Sequence, residues 1–444
     1  METKLARIAE VARLKPSEKF TSLAHLLNSD MIKTCHKEMD KRKAVGVDGV
    51  TKEEYEVNLD ENINDLIARM KRQAYKPRSV KRVYIPKLGT DKKRPLGLPA
   101  YEDKLVQLAV AKILNAIYEQ DFLECSFGFR PQRGCHDALK VLSTIVNKPG
   151  INYVVDTDIK GFFDHVDHEW MMKFIEHRIA DPNIQRLINR FMKAGVMEMG
   201  ISRETPEGVP QGGPISPILS NIYLHYVIDL WFEKQIRNRC KGLAYMVRYA
   251  DDAVFCFQYE WEAKEFYQEL TERLKKFNLE VADEKTKIIN LNKGRSDEND
   301  GNGNGNEDTG SFDFLGFTHY SGKSLNGRLV IRRKTSKKKF KASLLKVKEW
   351  LKHKRHTPIK EIMRTLNIKL QGYCRYYGIT CNGPSVGRFI QETKRVLYKW
   401  LNRRSQRKSF DWGKFKLFLL KYPLLKPKIW VNIFELGAGK SYVM

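Results

Sequence analysis

Two adjacent acids, Asp251 and Asp252, stand between two apolar runs, in the order Tyr249-Ala250-Asp251-Asp252. Neighbouring carboxylates at the tip of an apolar hairpin repel one another, and partial burial opposes ionisation further. A divalent cation removes that cost. A third acid, Asp158, closes another apolar run, VVDTDI, and antiparallel pairing of that run with the hairpin would bring the three together. Such a cluster binds Mg²⁺ through a few carboxylates and substrate phosphates. Two cations so held, about 3.5–4 Å apart, support in-line displacement at phosphorus. An Asp-Asp pair alone says little, because Asp suits surface turns.

The elements that must carry these acids are legible in outline. INYVVDTDI (151–159) reads as a strand, and HEWMMKFIEHRI as the helix after it, with Asp167 its N-cap. SPILSNIYLHYVIDLWFEKQI (216–236) reads as a long helix, and runs at 243–248 and 253–257 as two strands. These predict an α+β sheet with helices packed on one face. Upstream, Val80, Val83 and Ile85 predict a short hairpin, with Pro86 to Pro99 as its turn and exit, and residues 101–118 a buried amphipathic helix. Residues 294–310, GRSDENDGNGNGNEDTG, have the composition of a flexible acidic loop, and beyond about residue 335 the pattern is helical.

The charge is unevenly placed. The 444 residues contain 80 Lys+Arg and 53 Asp+Glu, a formal net charge of +27. Residues 1–320 hold 48 of each sign, whereas residues 321–444 hold 32 basic and 5 acidic residues, so the whole excess lies in the last part. A polyanion is the usual partner of such a surface, and nucleic acid is favoured over an anionic membrane. No run approaches the roughly 18 apolar residues of a membrane span. The first residues carry Glu2, Glu10 and Glu18 and lack an apolar secretory core, which predicts an unprocessed cytoplasmic protein. Seven cysteines, with no Cys-x-x-Cys and no His at zinc spacing, argue against disulfides and structural zinc.

The ordered segments resemble the reverse transcriptases encoded by bacterial group II introns, which also act as splicing maturases. The resemblance rests on GVDGVT (46–51), KRPLGLPAYEDKLVQLAV (93–110), FLECSFGFRPQRGCHDAL (122–139), DIKGFFDHVDH (158–168), GVPQGGPISPILSNIYLHYVID (208–229), the YADD motif at 249–252, EKTKI (284–288), FDFLGF (312–317) and GYCRYYG (372–378). It implies a right-hand polymerase: an N-terminal extension (1–43), fingers with the start of the palm (44–150), a palm with the insertion at 294–310 (151–320), and an all-helical, basic thumb/maturase domain (321–444).

The resemblance also implies roles. Asp158, Asp251 and Asp252 become the catalytic metal ligands, for Mg²⁺, while Asp156 and Asp164 are read as structural. Lys87 and Arg94 would grip an incoming triphosphate, and Phe163 would exclude a ribose 2′-hydroxyl, the group that separates the two nucleotide classes. Gln211, with Gly212 and Gly213, would form a close surface beneath nucleotide and template. Arg332, Arg333, Lys337, Lys338, Tyr373, Arg375, Arg403 and Arg404 are the candidate RNA contacts, with Tyr376 and Trp400 as further aromatics; half of the set Tyr373, Arg375, Tyr376 and Trp400 is expected to be core. The implied partners are intron RNA, an RNA template–DNA primer duplex and dNTPs, with no membrane; the oligomeric state is not implied. No Cys/His nuclease module follows the thumb, which predicts that the chain does not cut a target strand itself. Competing readings are a free-standing enzyme with a host role in repair or phage defence, a non-catalytic RNA-binding splicing factor, and an RNA-dependent RNA polymerase, which YADD and Phe163 disfavour.

Overall fold

The computed structural model describes residues 2–86, 93–198, 201–203, 207–282, 284, 286–292, 310–324, 327, 329–404, 409–435, 437 and 439–443. Lys87 and residues 294–309 of the acidic segment lie outside the described residues. Four antiparallel strands form the palm sheet in the order β6-β7-β3-β8: β3 Tyr153–Asp158, β6 Ala244–Tyr249, β7 Asp252–Phe257 and β8 Lys287–Asn290. Strand side chains alternate between faces. Val155, Met246, Ala253, Phe255 and Phe257 therefore enter one hydrophobic core, and Val154, Tyr245, Val247, Val254 and Cys256 enter another. The helix Glu260–Lys276 packs on the first face, where the Phe266 ring lies 4.5 Å from Phe255 and 5.1 Å from Phe257. The helix Cys135–Val146 supplies Ala138, Val141, Leu142 and Ile145 to the second core. Both faces are covered, which corrects the expectation of helices on one face only. Apolar residues alternate with apolar residues here, as buried strands require.

A second four-stranded sheet, ordered β2-β1-β4-β5, builds the fingers from β1 Val80–Pro86, β2 Lys93–Leu98, β4 Val196–Glu198 and β5 Ile201–Arg203. The stretch expected to be turn and exit thus contains a strand: β2 pairs antiparallel with β1, with Ile85 opposite Arg94. β1 also pairs in parallel with β4, so a segment assigned to the palm by sequence joins the fingers sheet. The first 43 residues are not an appendage. Ala12, Leu23, Met31, Ile32 and Cys35 share a core with Leu105, Val106 and Ile113 of the helix Tyr101–Tyr118. Asp181 fastens the N-terminal segment by accepting hydrogen bonds from the Leu23 and Ala24 amides at 2.6 and 2.8 Å.

A three-stranded antiparallel sheet, β9 Phe312–Phe314, β10 Phe317–Lys323 and β11 Leu329–Thr335, precedes the thumb helices Lys337–Lys354, Ile359–Tyr377 and Gly383–Leu401. The boundary expected at residue 321 falls inside β10, whose pairing with β11 runs from Phe317 opposite Thr335 to Lys323 opposite Leu329. Asn147 ties this sheet to the palm: its side chain accepts from the Ile331 amide at 2.7 Å and donates to the Ile331 carbonyl at 3.4 Å.

One buried pair in this sheet gives the fold a pH signature. His319 is 0 % exposed, stacks on Phe312 at 4.8 Å, stands opposite Arg333, and has no hydrogen-bond partner on either ring nitrogen. Burial, with Arg333 adding to it, lowers its pKa from 6.5 to about 3. The folded state then holds fewer protons than the unfolded one, so the stability this residue contributes is full above pH 6.5 and is lost as pH falls toward 3. The loss approaches about 1.4 kcal/mol per pH unit below the unfolded value. His319→Phe is expected to flatten the fall in Tm between pH 7 and 5 relative to wild type, measured by thermal melts across that range. Parallel pH profiles for the two proteins would contradict this.

Candidate active site

The palm sheet delivers its acids by register. Asp158 ends β3 directly opposite Asp252, the first residue of β7, and Asp252 in turn faces Tyr249 across β6. Asp156, Asp158, Asp252 and Val254 point to one face by alternation, so the apolar second core grades into carboxylates at its open end. The turn joining β6 to β7 holds Ala250 at φ 58°, a left-handed conformation uncommon for a residue with a side chain.

Electrostatics tie the turn to β3. Burial raises the Asp251 pKa, repulsion from Asp158 adds to it, and Arg94 and Arg248 oppose it, along with a backbone hydrogen bond. Arg94 of the fingers hairpin therefore acts on the acids of the palm. Asp156 is pushed up to about 8, first by burial and then by Asp252, Asp313 and Asp158, with Lys287 opposing. Asp313 of β9 was not singled out in the sequence, although it lies within the quoted FDFLGF. Its nearness to Asp156 depends on how the third sheet docks, which spacing along the chain does not encode.

The acids suit a hard cation by donor type and by their mutual repulsion, which a divalent ion would relieve. Among the described residues no three His, Cys, Asp or Glu side chains are gathered tightly enough to enclose a metal ion. Asp158, Asp251 and Asp252 are presented from facing strands and a turn, without converging on one point.

A cleft of about 300 Å³ between the fingers sheet and the segments that follow β3 is lined by Arg82, Pro95, Gly97, Phe163, Asp164 and Gln211, among others. It brings together two residues expected to meet a nucleotide, Phe163 and Gln211. Phe163 is half-buried against Phe162, with ring centroids 5.3 Å apart, and its carbonyl accepts from the Val209 amide at 2.8 Å. The Gln211 carbonyl accepts from the Gly97 amide at 2.6 Å, which fastens the fingers to the palm. Gly212 is required by that join: at φ +119° a Cβ would lie 2.7 Å from the Gly97 carbonyl oxygen. Arg82 was missed by sequence reasoning. Its Nε is buried without a partner, and its cationic neighbours in the sequence disguise it.

The expected RNA contacts separate into two groups. Lys337, Lys338, Arg375 and Arg403 are exposed, and Arg332 and Arg404 are half-buried. Arg333 is 1 % exposed and donates to the Ser143 hydroxyl at 2.5 Å, and Tyr373 stacks on Phe389 at 3.6 Å inside the thumb core. Arg333 and Tyr373, like Trp400 at 8 % exposure, are core residues, which corrects their assignment to an RNA-facing surface. Alternation in β11 places Arg333 toward the helix Cys135–Val146, a neighbour that the local sequence does not reveal.

A palm sheet ending in acids, joined to a fingers sheet and followed by a helical thumb, defines a right-hand polymerase. Residues 85–319 match the family described as "Reverse transcriptase (RNA-dependent DNA polymerase)". The chain belongs to that family, and residues 337–418 match the family described as "Group II intron, maturase-specific domain". It is 39% identical over 222 residues to the "Group II intron-encoded protein LtrA" of Lactococcus lactis subsp. cremoris, covering 50% of this chain and 37% of that protein. It is 37% identical over 199 residues to "Protein YkfC" of Escherichia coli, covering 44% and 52%. A third relative, the "Uncharacterized 91 kDa protein in cob intron" of Schizosaccharomyces pombe, is 32% identical over 200 residues, covering 45% and 24%. The aligned segments thus span about half or less of each of these relatives. Among the described residues no helix is long and apolar enough to cross a membrane.

Proposed function

We propose that this chain is an RNA-directed DNA polymerase that also binds group II intron RNA and supports its splicing and mobility. The observation that carries the reading is the register of Asp158 against Asp252, with Asp251 at the adjoining turn. Asp158, Asp251 and Asp252 would hold Mg²⁺, which supplies activation of a primer 3′-oxygen and neutralisation of charge on the leaving phosphate. Arg94 places fixed positive charge against the triphosphate, and Lys87 has the same proposed role. Phe163 bounds the cleft where a sugar would sit, and its ring would exclude a 2′-hydroxyl. The exposed cations of the thumb grip the RNA backbone. The reading assigns the chain to the cytoplasm, where intron transcripts are made.

Extension of a labelled DNA primer on an RNA template, with dNTPs and Mg²⁺, tests the proposal. Copying to the template end is expected; no extension would leave only an RNA-binding factor. In the same assay Phe163→Val should accept ribonucleotides about tenfold to two-hundredfold more readily relative to dNTPs, the range that steric discrimination of one small group supplies. An unchanged ratio of kcat/KM values would remove Phe163 from the nucleotide site.

A further inference from the structure

Behind the Tyr249-Ala250-Asp251-Asp252 turn lies a buried polar network that the proposed chemistry does not use. Arg248, the penultimate residue of β6, is 0 % exposed and points away from the acids, into the first core. Its guanidinium makes a two-pronged contact with Asp229, Nε to Oδ1 at 2.7 Å and Nη2 to Oδ2 at 2.5 Å. Nη2 also donates to the Ser126 hydroxyl at 2.8 Å, and Nη1 to the Asn221 side-chain oxygen at 3.1 Å. The remaining bond from Nη1, at 2.9 Å, goes to the carbonyl of Ala250. Asp229, also 0 % exposed, sits in the π-helical turn His225–Asp229, a local widening that redirects a side chain.

The same network reaches the turn from a second side. Asn221 donates from its amide nitrogen to the Gly128 carbonyl at 2.7 Å. Gly128 lies so close to the turn that a Cβ there would sit 2.2 Å from the Ala250 nitrogen. The strap leading to it is paired with β6, the Arg248 amide donating to the Cys125 carbonyl at 2.8 Å and the Phe127 amide to the Arg248 carbonyl at 2.9 Å. Ala250 is thus held at a left-handed φ by a guanidinium on its carbonyl and a glycine strap against its nitrogen. Such a conformation persists only where its surroundings over-determine it.

We propose that Arg248, oriented by Asp229, Asn221 and Ser126, is a positioning residue that fixes the Ala250 carbonyl and so sets the presentation of Asp251 and Asp252 to a divalent cation. The inference rests on the reading of those acids as metal ligands. A buried ion pair is a weak source of stability, since an apolar pair of similar volume often replaces it without loss. What an apolar pair cannot do is bond the Ala250 carbonyl.

That difference supplies the test. The double variant Arg248→Met, Asp229→Leu removes the network without leaving a lone buried charge, and Arg248→Lys and Asn221→Ala each remove part of it. Mn²⁺ binding is followed by electron paramagnetic resonance, alongside single-turnover primer extension at several Mg²⁺ concentrations, thermal melts and RNA affinity. The double variant is expected to melt close to wild type and to keep its RNA affinity, while Mn²⁺ affinity and extension each fall about tenfold to a hundredfold. These two partial variants should show the same pattern to a smaller degree. Wild-type Mn²⁺ affinity in a folded double variant would overturn the proposal. Should the double variant not fold, unchanged Mn²⁺ affinity in both Arg248→Lys and Asn221→Ala would overturn it instead. Failure of the underlying reading would look different, as absence of Mn²⁺ binding and of extension in the wild-type protein.

Discussion

Affinity for a structured RNA is expected to fall by about a thousandfold or more as salt rises from about 50 to 200 mM, the loss that accompanies roughly six to ten phosphate contacts. The charge distribution is the reason. Residues 321–444 carry 32 basic and 5 acidic side chains, and Lys337, Lys338, Arg375 and Arg403 are exposed. Other cations lie over aromatic faces, Lys428 above Trp430 at 4.2 Å and Lys334 above Tyr320 at 4.7 Å, where charge and ring can meet a nucleotide together. Residues 1–320 are balanced in charge and contribute little long-range attraction. Filter binding at a series of KCl concentrations gives the slope of log affinity against log salt. A slope shallower than about −3 would mean that only some three phosphates are neutralised, too few for the basic thumb to be the main grip.

Replacing Asp251 and Asp252 together by alanine is expected to lower the rate of primer extension by at least about a thousandfold. Charge stabilisation by a bound metal is worth several kcal/mol, and each 1.36 kcal/mol is about a factor of ten in rate. The register explains why no neighbour can substitute. Asp158 would be left facing an alanine across the β3–β7 pair, and the ionised form of Asp156 is opposed first of all by burial, which the substitutions leave in place. Asp313 belongs to a different sheet. Rapid-quench measurement with saturating dNTP checks the rate, and a loss under about tenfold would exclude the pair as metal ligands. The core behind them should tolerate the change, since Asp252 is exposed and the aromatic cluster around Phe266 is untouched.

The palm was the most legible part of the sequence. The strand at 153–158, the helix at His168 with its Asp167 cap, and the two strands flanking Asp251 stood where alternation and capping chemistry put them, the Asp167 carboxylate accepting from the Trp170 amide at 2.9 Å. Antiparallel pairing of the VVDTDI strand with the hairpin was expected, and Asp158 does face Asp252. What escaped was set by tertiary contact. The strands β4 and β5 are three residues each, too short for a period to show. The π-helical turns in 225–236 read as ordinary helix, because the period changes by one residue at a point where apolar residues are dense on all sides. That hid the partnership of Asp229 with Arg248. Arg333 and Tyr373 were misplaced for the related reason that a cation or a phenol in a basic stretch reads as surface until its packed neighbour is known.

The account separates catalysis, at the open end of the palm sheet, from the RNA grip of the thumb. The most direct test measures both on one preparation of the Asp251→Ala, Asp252→Ala protein: equilibrium affinity for a group II intron RNA, and single-turnover extension of a DNA primer on an RNA template. Extension should be lost while RNA affinity stays within about twofold of wild type, because the exchanged acids make no contribution to the phosphate contacts that dominate binding. Loss of RNA affinity in parallel with activity in a protein that still melts cooperatively would contradict the separation.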